Sequence, residues 1–228
     1  MHHKLETVVR KIKRHGIGAA TYEAAIRALG AVAAFKILRG VFVSYPEPAF
    51  LECPYDAKLI DERALREFAR DPANEMSREF LDEALARGDQ CYGIVDRGRL
   101  AAYGWYAFGP TPIGIPGVML HYRRGYVYMY KGFTHKDYRG QRLHAIGMTR
   151  ALAHYLARGR RGIVSYVEST NFDSLKSCFR MGYTVFGTVV IVKVFGRYRS
   201  FATPGCKKYD FRVEHTASGG SGGLIFGK

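Results

Sequence analysis

The stretch that decides the fold is Tyr126–Tyr183, YVYMYKGFTHKDYRGQRLHAIGMTRALAHYLARGRRGIVSYVESTNFDSLKSCFRMGY. Tyr126–Phe133 is an apolar-aromatic run suited to a strand. Then comes Tyr138-Arg139-Gly140-Gln141-Arg142-Leu143-His144-Ala145, an Arg- and Gly-bearing turn that opens the apolar-periodic run Leu143–Leu156. Ile163–Val167 is a β-branched run suited to a buried strand, Asn171–Arg180 a short helix, and Thr184–Phe195 a long strand. The order is strand, turn, helix, strand, helix, strand. A glycine-bearing turn at a helix start offers unpaired backbone N–H groups and the positive end of the helix dipole, which suits a phosphate.

The turn is followed by Asn171-Phe172-Asp173-Ser174 and then by Met181-Gly182-Tyr183. This ordered pair of signals resembles the acyl-CoA-binding half of the GNAT superfamily of N-acyltransferases. That family's turn follows Q/R-x-x-G-x-G/A, and its N–H groups bind the CoA pyrophosphate. Here the pattern falls on Arg139, Gly140, Gln141, Arg142, Leu143 and His144. Arg139 fits the first position. Arg142 replaces the fourth-position glycine and His144 the sixth-position small residue. Main-chain donors survive such changes only where the dihedrals suit a side chain, and Arg142 can add a charged phosphate contact. Read by its residues alone, the turn is a basic cap on a core helix.

The resemblance also implies that Asn171 and Ser174 lie beside the pantetheine arm. The family often places a tyrosine seven residues after that asparagine to protonate the departing thiolate; here the place is taken by Cys178. A thiol, with its ordinary pKa of about 8.5, can donate a proton, and it equally packs as a small hydrophobe. By the same resemblance the backbone N–H at Phe133 polarises the thioester carbonyl. Candidate bases are Glu168 at a strand end, His135 where the strand enters the turn, with the right intrinsic range, and Tyr130. For each the alternative is an ordinary surface or loop residue.

Around this segment, Cys53–Ile60 reads as a strand, Asp61–Arg70 as a helix capped by Asp61, and Asp71-Pro72 as the start of a helix running to Arg87 before Gly88. Cys91–Val95 and Leu100–Phe108 flank Asp96-Arg97-Gly98-Arg99 as a hairpin; Val118–Tyr122 and Tyr126–Phe133 flank Arg123-Arg124-Gly125 as a second. Lys208–Val213 alternates as a last strand. The resemblance thus extends over residues 46–213 and implies an α/β (α+β) fold, a mixed and mostly antiparallel sheet flanked by helices.

Residues 1–45 form a basic helical arm. Up to residue 40, eight cations against two acids leave it at +6. Leu5, Val8 or Val9 and Ile12 recur at helical spacing; Tyr22–Leu38 is a second helical run, and Val41–Ser44 a short strand. The two helices can pack on the domain or lie on an anionic membrane. Residues 214–228 are a Gly/Ser-rich tail.

The chain has 228 residues and a formal charge of +15. That excess favours an anionic partner beyond CoA: an acidic carrier protein or an anionic membrane surface. Nucleic acid is disfavoured, because no recognition motif is present and the arm lacks interleaved aromatics. The four cysteines show no CxxC spacing and the histidines no ligand spacing, so neither a metal site nor a disulfide framework is expected and the thiols suit a cytoplasmic compartment. Membrane association, if any, would be peripheral and through residues 1–40.

The resemblance therefore implies an N-acyltransferase with acetyl-CoA or another acyl-CoA as co-substrate, no permanently bound cofactor, and an amine acceptor. A carrier-protein donor and a non-catalytic binding module remain open alternatives.

Overall fold

The computed structural model describes residue 10 and residues 12–33, 36–195 and 197–215. Gly16, at φ +85°, separates a short helical stretch from α1 (Ile17–Ala33). Three residues later the pattern changes to strand β1 (Lys36–Val43), in which Leu38, Val41 and Val43 are buried. The helical run expected over Tyr22–Leu38 therefore ends early, and the strand expected at Val41–Ser44 begins earlier. The β-branched and apolar residues of 37–43 find partners on both sides, and that pairing overrides their helical spacing. The expected helix before Gly16 lies mostly outside the described residues.

Next come β2 (Asp56–Ile60), α2 (Glu62–Phe68) and α3 (Arg78–Ala86). Asp61 caps α2 by accepting from the Ala64 N–H at 2.9 Å. The helix expected from Asp71-Pro72 to Arg87 is two elements. Asp71 caps only the 3₁₀ turn Pro72–Asn74, Glu75 is left-handed at φ +50°, and Ser77 caps α3 through the Phe80 N–H at 3.2 Å. The left-handed residue prevents continuation.

β3 (Gln90–Asp96) and β4 (Arg99–Ala107) form the expected hairpin, with Arg97 and Gly98 both at positive φ as a tight two-residue turn requires. β4 is buried on both faces after Arg99, so it is an inner strand. β5 (Thr111–Pro112) and β6 (Val118–His121) precede β7 (Val127–Thr134), α4 (Leu143–Leu156), β8 (Ile163–Glu168) and α5 (Phe172–Arg180). β9 (Thr184–Val194), β10 (Arg197–Ala202) and β11 (Arg212–His215) complete the order.

Eight strands form one sheet in the order β10-β9-β1-β8-β7-β4-β3-β2. Every pairing is antiparallel except β7 with β8. One face carries α4 and α5 over Val41, Tyr106, Val127, Met129 and Val167. The other carries α2 and α3 over Leu65, Phe80, Trp105 and Phe133, and beside them a second sheet, β11-β6-β5. α1 lies on the α5 side, touching β9, with Tyr22 Oη donating to Ser169 Oγ at 3.0 Å.

Two expectations at this second sheet are corrected. Arg123-Arg124-Gly125 does not close a hairpin: β6 pairs with β5 and β11, and the Arg123 N–H donates to the Tyr209 carbonyl at 2.7 Å, so this segment crosses between sheets. Lys208–Val213 is not one strand either. Pro204–Tyr209 is 3₁₀-helical and β11 starts at Arg212, because Tyr209 and Phe211 pack against Phe186 under the main sheet.

β1 fills the space between β8 and β9. A chain beginning at Lys36 is therefore expected to retain a cooperative thermal transition by circular dichroism. A chain beginning at Pro46 exposes two inner strand edges and is expected to lose it.

Candidate active site

β7 and β8 pair at only two positions, Val127 with Ile163 and Tyr128 with Val164. Beyond them each strand follows its other neighbour: β7 stays with β4 as far as Thr134, and β8 with β1 as far as Glu168. The strands part, and a cleft opens between them. At its apex Ser165 Oγ donates to the Met129 carbonyl at 2.7 Å, satisfying a group that the parting would otherwise leave unpaired.

Register explains why β7 turns away. Tyr106 is opposite Met129 while Trp105 is opposite Lys131, so Tyr130 is the extra residue of a β-bulge. Before the bulge, Val127 and Met129 face α4 and α5; after it, Phe133 faces α3 and Gly132 faces α4. Tyr130 and Lys131 both reach the α3 side, the first 6.2 Å from the Phe80 ring and the second with its Nζ 4.3 Å above it.

The backbone donors along this edge follow from alternation. The His135 N–H donates to the Ala101 carbonyl on β4 at 2.9 Å. Phe133, two residues earlier and opposite Tyr103, turns its N–H the same way. Gly132 and Thr134 therefore turn theirs toward the cleft. The Phe133 N–H expected to polarise a carbonyl is committed to the sheet, and its ring stacks on Tyr103 at 5.2 Å.

The turn before α4 is exposed from Arg139 to Arg142, over a buried Tyr138 whose Oη donates to Asp96 at 2.8 Å. Tyr55 packs edge-on against Tyr138 at 5.8 Å and donates its hydroxyl to Gln141 Oε1 at 2.8 Å. Gly140 has φ +87° and Arg142, the N-cap of α4, φ +60°. Arg142 thus takes the left-handed shape that a glycine takes freely, which costs a side-chain-bearing residue about 1–2 kcal/mol. It makes no side-chain cap, and the Ile146 N–H is the one that bonds back to the Arg142 carbonyl. The N–H groups of Leu143, His144 and Ala145 have no intrahelical partner by position, and the dipole end is positive there.

His144 is placed by β7. A Cβ on Gly132 would lie 2.5 Å from His144 Cε1 and 2.8 Å from Met129 Cε. The imidazole fills the room that a side chain at position 132 would take, and burial lowers its pKa.

Asn171 caps α5, its Oδ1 accepting from the Ser174 N–H at 3.1 Å, so its oxygen is engaged and its amide NH₂ is the group left to meet a ligand. Ser174 supplies that backbone donor. Glu168 is exposed and held by Lys36 Nζ at 2.9 Å. His135 is buried in the 3₁₀ turn Lys136–Tyr138, its Nδ1 accepting from the Asp137 N–H at 3.3 Å and its ring near Phe133 and Tyr138. Cys178 is buried among Met181 and Tyr183, and desolvation pushes its thiol up to about 11.

Tyr130 is the candidate nearest the apex, and it leads to residues that the sequence did not single out. Its hydroxyl donates to Asp89 Oδ2 at 3.0 Å. The same oxygen accepts from Arg87 Nε at 3.1 Å and Nη2 at 2.9 Å. Burial raises the Asp89 carboxyl above its ordinary value, against the opposing pull of Arg87 and Tyr130. The rings of Tyr122, Tyr128 and Tyr166 continue an aromatic tray at 5.6 Å and 6.3 Å spacings. No sequence signal marks Asp89, which follows the helix-ending Gly88 like any loop residue.

α1 overlooks the β8 side of the cleft. Arg14 and His15 both pair with Asp173 Oδ1, at 3.1 and 3.2 Å, beside a recess of about 740 Å³ that also takes in Glu168 and Asn171. Among the described residues no cluster of three or more His, Cys, Asp or Glu could hold a metal, and no helix is long and apolar enough to cross a membrane.

No family model matches this chain and no curated protein matches it by sequence. Solved structures do. A protein of Novosphingobium aromaticivorans assigned to the GNAT family of acetyltransferases superposes with a TM-score of 0.51 at 18% identity, over 69% of this chain and 63% of that one. The chain has a GNAT-like fold. A GNAT-family acetyltransferase of Colwellia psychrerythraea superposes with a TM-score of 0.48 at 18% identity, over 73% of this chain and 60% of that one. This chain thus spans about three-fifths of the length of these two structures.

The His144–Gly132 contact makes a coupled prediction. Gly132→Val is expected to destabilise by about 1–3 kcal/mol through overpacking, and adding His144→Ala is expected to recover most of the loss, measured by denaturant unfolding. Thiol labelling separates the cysteines by exposure. Cys53 is expected to react with a maleimide in the native state, while the buried Cys91, Cys178 and Cys206 react at the rate of unfolding, as followed by peptide mass spectrometry.

Proposed function

We propose that this protein is an N-acyltransferase that moves an acetyl or longer acyl group from a CoA thioester to an amine by direct attack. The observation that carries the reading is the cleft itself: two strands parting at Tyr128 and Val164, with the open edge of β7 leading to an exposed turn at a helix N-terminus. The CoA pyrophosphate would meet the N–H groups of the turn together with Arg139 and Arg142. The pantetheine amides would meet the open backbone of Thr134 and Gly132 on one side and the Asn171 amide on the other. Donors aimed at a developing oxyanion in a dry apex are the largest single source of rate in acyl transfer.

The amine must lose a proton as its nitrogen bonds to the carbonyl carbon and the carbon–sulfur bond breaks. Tyr130 and Asp89 supply the route in this reading. The Tyr130 oxygen takes the amine proton while its own passes along the 3.0 Å bond to Asp89 Oδ2. The thiolate takes its proton from solvent, because Cys178 is enclosed. Glu168, tied to Lys36 at the rim, gates entry of the acceptor rather than removing the proton.

The exposed Lys136, Arg139 and Arg142 on a chain of charge +15 favour one variant of this reading, an acidic carrier protein delivering the acyl group. Donor binding distinguishes the two. Acetyl-CoA is expected to raise the melting temperature, with the rise reduced in Arg139→Ala. A rise with acyl-loaded carrier protein alone would shift the donor assignment. A flat response to both would remove acyl transfer altogether, and a rise without turnover on any amine would leave a binding module.

The relay has its own test. With acetyl-CoA and a panel of primary amines, release of free CoA is expected to fall about 10²–10⁴-fold in Tyr130→Phe and Asp89→Asn, with the acetyl-CoA thermal shift unchanged. The relay needs Asp89 ionised, so the rate falls as pH drops through its folded-state pKa. Because burial raises that value, the acid limb is expected above the ordinary aspartate range of about 3.9 and to vanish in Asp89→Asn.

A further inference from the structure

The outer surface on the α1 side of the main sheet is built unlike the rest of the molecule. α1 packs inward through Tyr22, Glu23 and Ile26. Its exposed residues are mostly apolar: Ile17 is 69% exposed and Leu29 51%, and Ala24, Ala25 and Ala28 are exposed as well, beside Thr21 and Arg27. The edge strand β10 continues this surface. Tyr198 reaches His215, and Ser200 bonds to the Val213 carbonyl, so these two point to the small sheet. Arg197, Arg199 and Phe201 alternate with them and point to the α1 side. Phe201 is 65% exposed, and Phe195, in the turn between β9 and β10, is completely so.

The hairpin turn and the end of α1 lie at the same end of the sheet. Lys36, three residues after the end of α1, is opposite Ile191, and β9 continues past it to Val194 before the turn at Phe195. The exposed cations on this side are Arg10, Lys13, Arg14, Arg27, Arg197 and Arg199. The acids beside them are paired: Glu23 is buried and bonded to Arg27, Asp173 is held by Arg14 and His15, and Glu168 by Lys36.

We propose that this face is a docking surface for an anionic lipid bilayer, with Phe195, Phe201, Ile17 and Leu29 entering the headgroup region and the surrounding arginines and lysines contacting lipid phosphates. Exposed apolar groups ringed by cations are the chemistry of interfacial binding, in which buried apolar area and attraction to anionic headgroups add. Aliphatic Ile17 and Leu29 distinguish this surface from a nucleic-acid groove, where bases need flat aromatic partners to stack on. Docking here would hold the rim of the cleft, to which α1 is tied through Tyr22 and Ser169, against the membrane.

Co-sedimentation of the full chain with vesicles tests the proposal. The chain is expected to pellet with phosphatidylcholine vesicles carrying about a third phosphatidylserine, to pellet weakly with phosphatidylcholine alone, and to be released by salt. Three paired variants sample the surface: Phe195→Ser with Phe201→Ser, Arg197→Glu with Arg199→Glu, and Ile17→Ser with Leu29→Ser. Each is expected to lower the partition coefficient about tenfold or more, with the wild-type melting curve retained because all six side chains are exposed; should one pair fail to fold, the other two decide. Absence of binding to the anionic vesicles would overturn the proposal. So would binding that no pair weakens, or binding to duplex RNA in place of vesicles. The readout does not involve acyl-CoA, so its outcome and that of the acyl-transfer reading are separable.

Discussion

The cleft depends on one constraint: β7 and β8 cannot stay paired while each keeps its other neighbour. A bulge at Tyr130 adds one residue to β7 and turns the strand with β4, while β8 stays in register with β1 down to Leu38 opposite Glu168. Two pairs of parallel contacts are all that the geometry leaves. Everything chemically useful follows from that parting. It frees the backbone of Gly132 and Thr134, and it swings the strand end toward the helix α4 that carries the exposed turn. It also brings Tyr130 round to the side where Asp89 waits behind α3.

The two residues that make the turn unusual are accommodated by different means. Arg142 keeps the left-handed backbone and bears the local cost of a side chain there. His144 keeps its bulk because β7 has no side chain to oppose it at Gly132. The first is a backbone solution and the second a packing solution. A guanidinium on the turn and an imidazole against β7 then become features of the cleft wall.

The sequence displays the elements whose information is local. Leu143–Leu156 is apolar at helical spacing and forms a helix with those ends; Asp96-Arg97-Gly98-Arg99 carries its own turn chemistry and closes the hairpin. What it hides are choices made by distant partners. Lys36–Leu38 reads as the end of an alanine-rich helix until two strands bracket it, and Arg123-Arg124-Gly125 looks like a hairpin until Tyr209 captures its first N–H. Around the cleft the same division holds. Arg139 to His144 are legible because a turn is local, whereas the orientation of the Phe133 N–H depends on register with β4, and Asp89 becomes notable only when a bulge on another strand delivers a tyrosine to it.

β1 gives the arm its consequence. A helix attached by a loose linker would sample many positions; α1 is followed by an inner strand of the main sheet, paired on both sides. Leu38 and Val41 are buried there, so α1 has a fixed anchor at its C-terminal end. At its other end Arg14 and His15, just before α1, pair with Asp173 on α5, and Tyr22 bonds to Ser169 in the segment between β8 and α5. That segment bears Asn171 and follows directly on Glu168 at the cleft rim. Any force on α1, from a ligand or a surface, is therefore felt first at the β8 side of the cleft, while the β7 side is held independently by β4 and α4. The two walls of the cleft belong to differently tethered halves of one sheet, joined in register at two residue pairs.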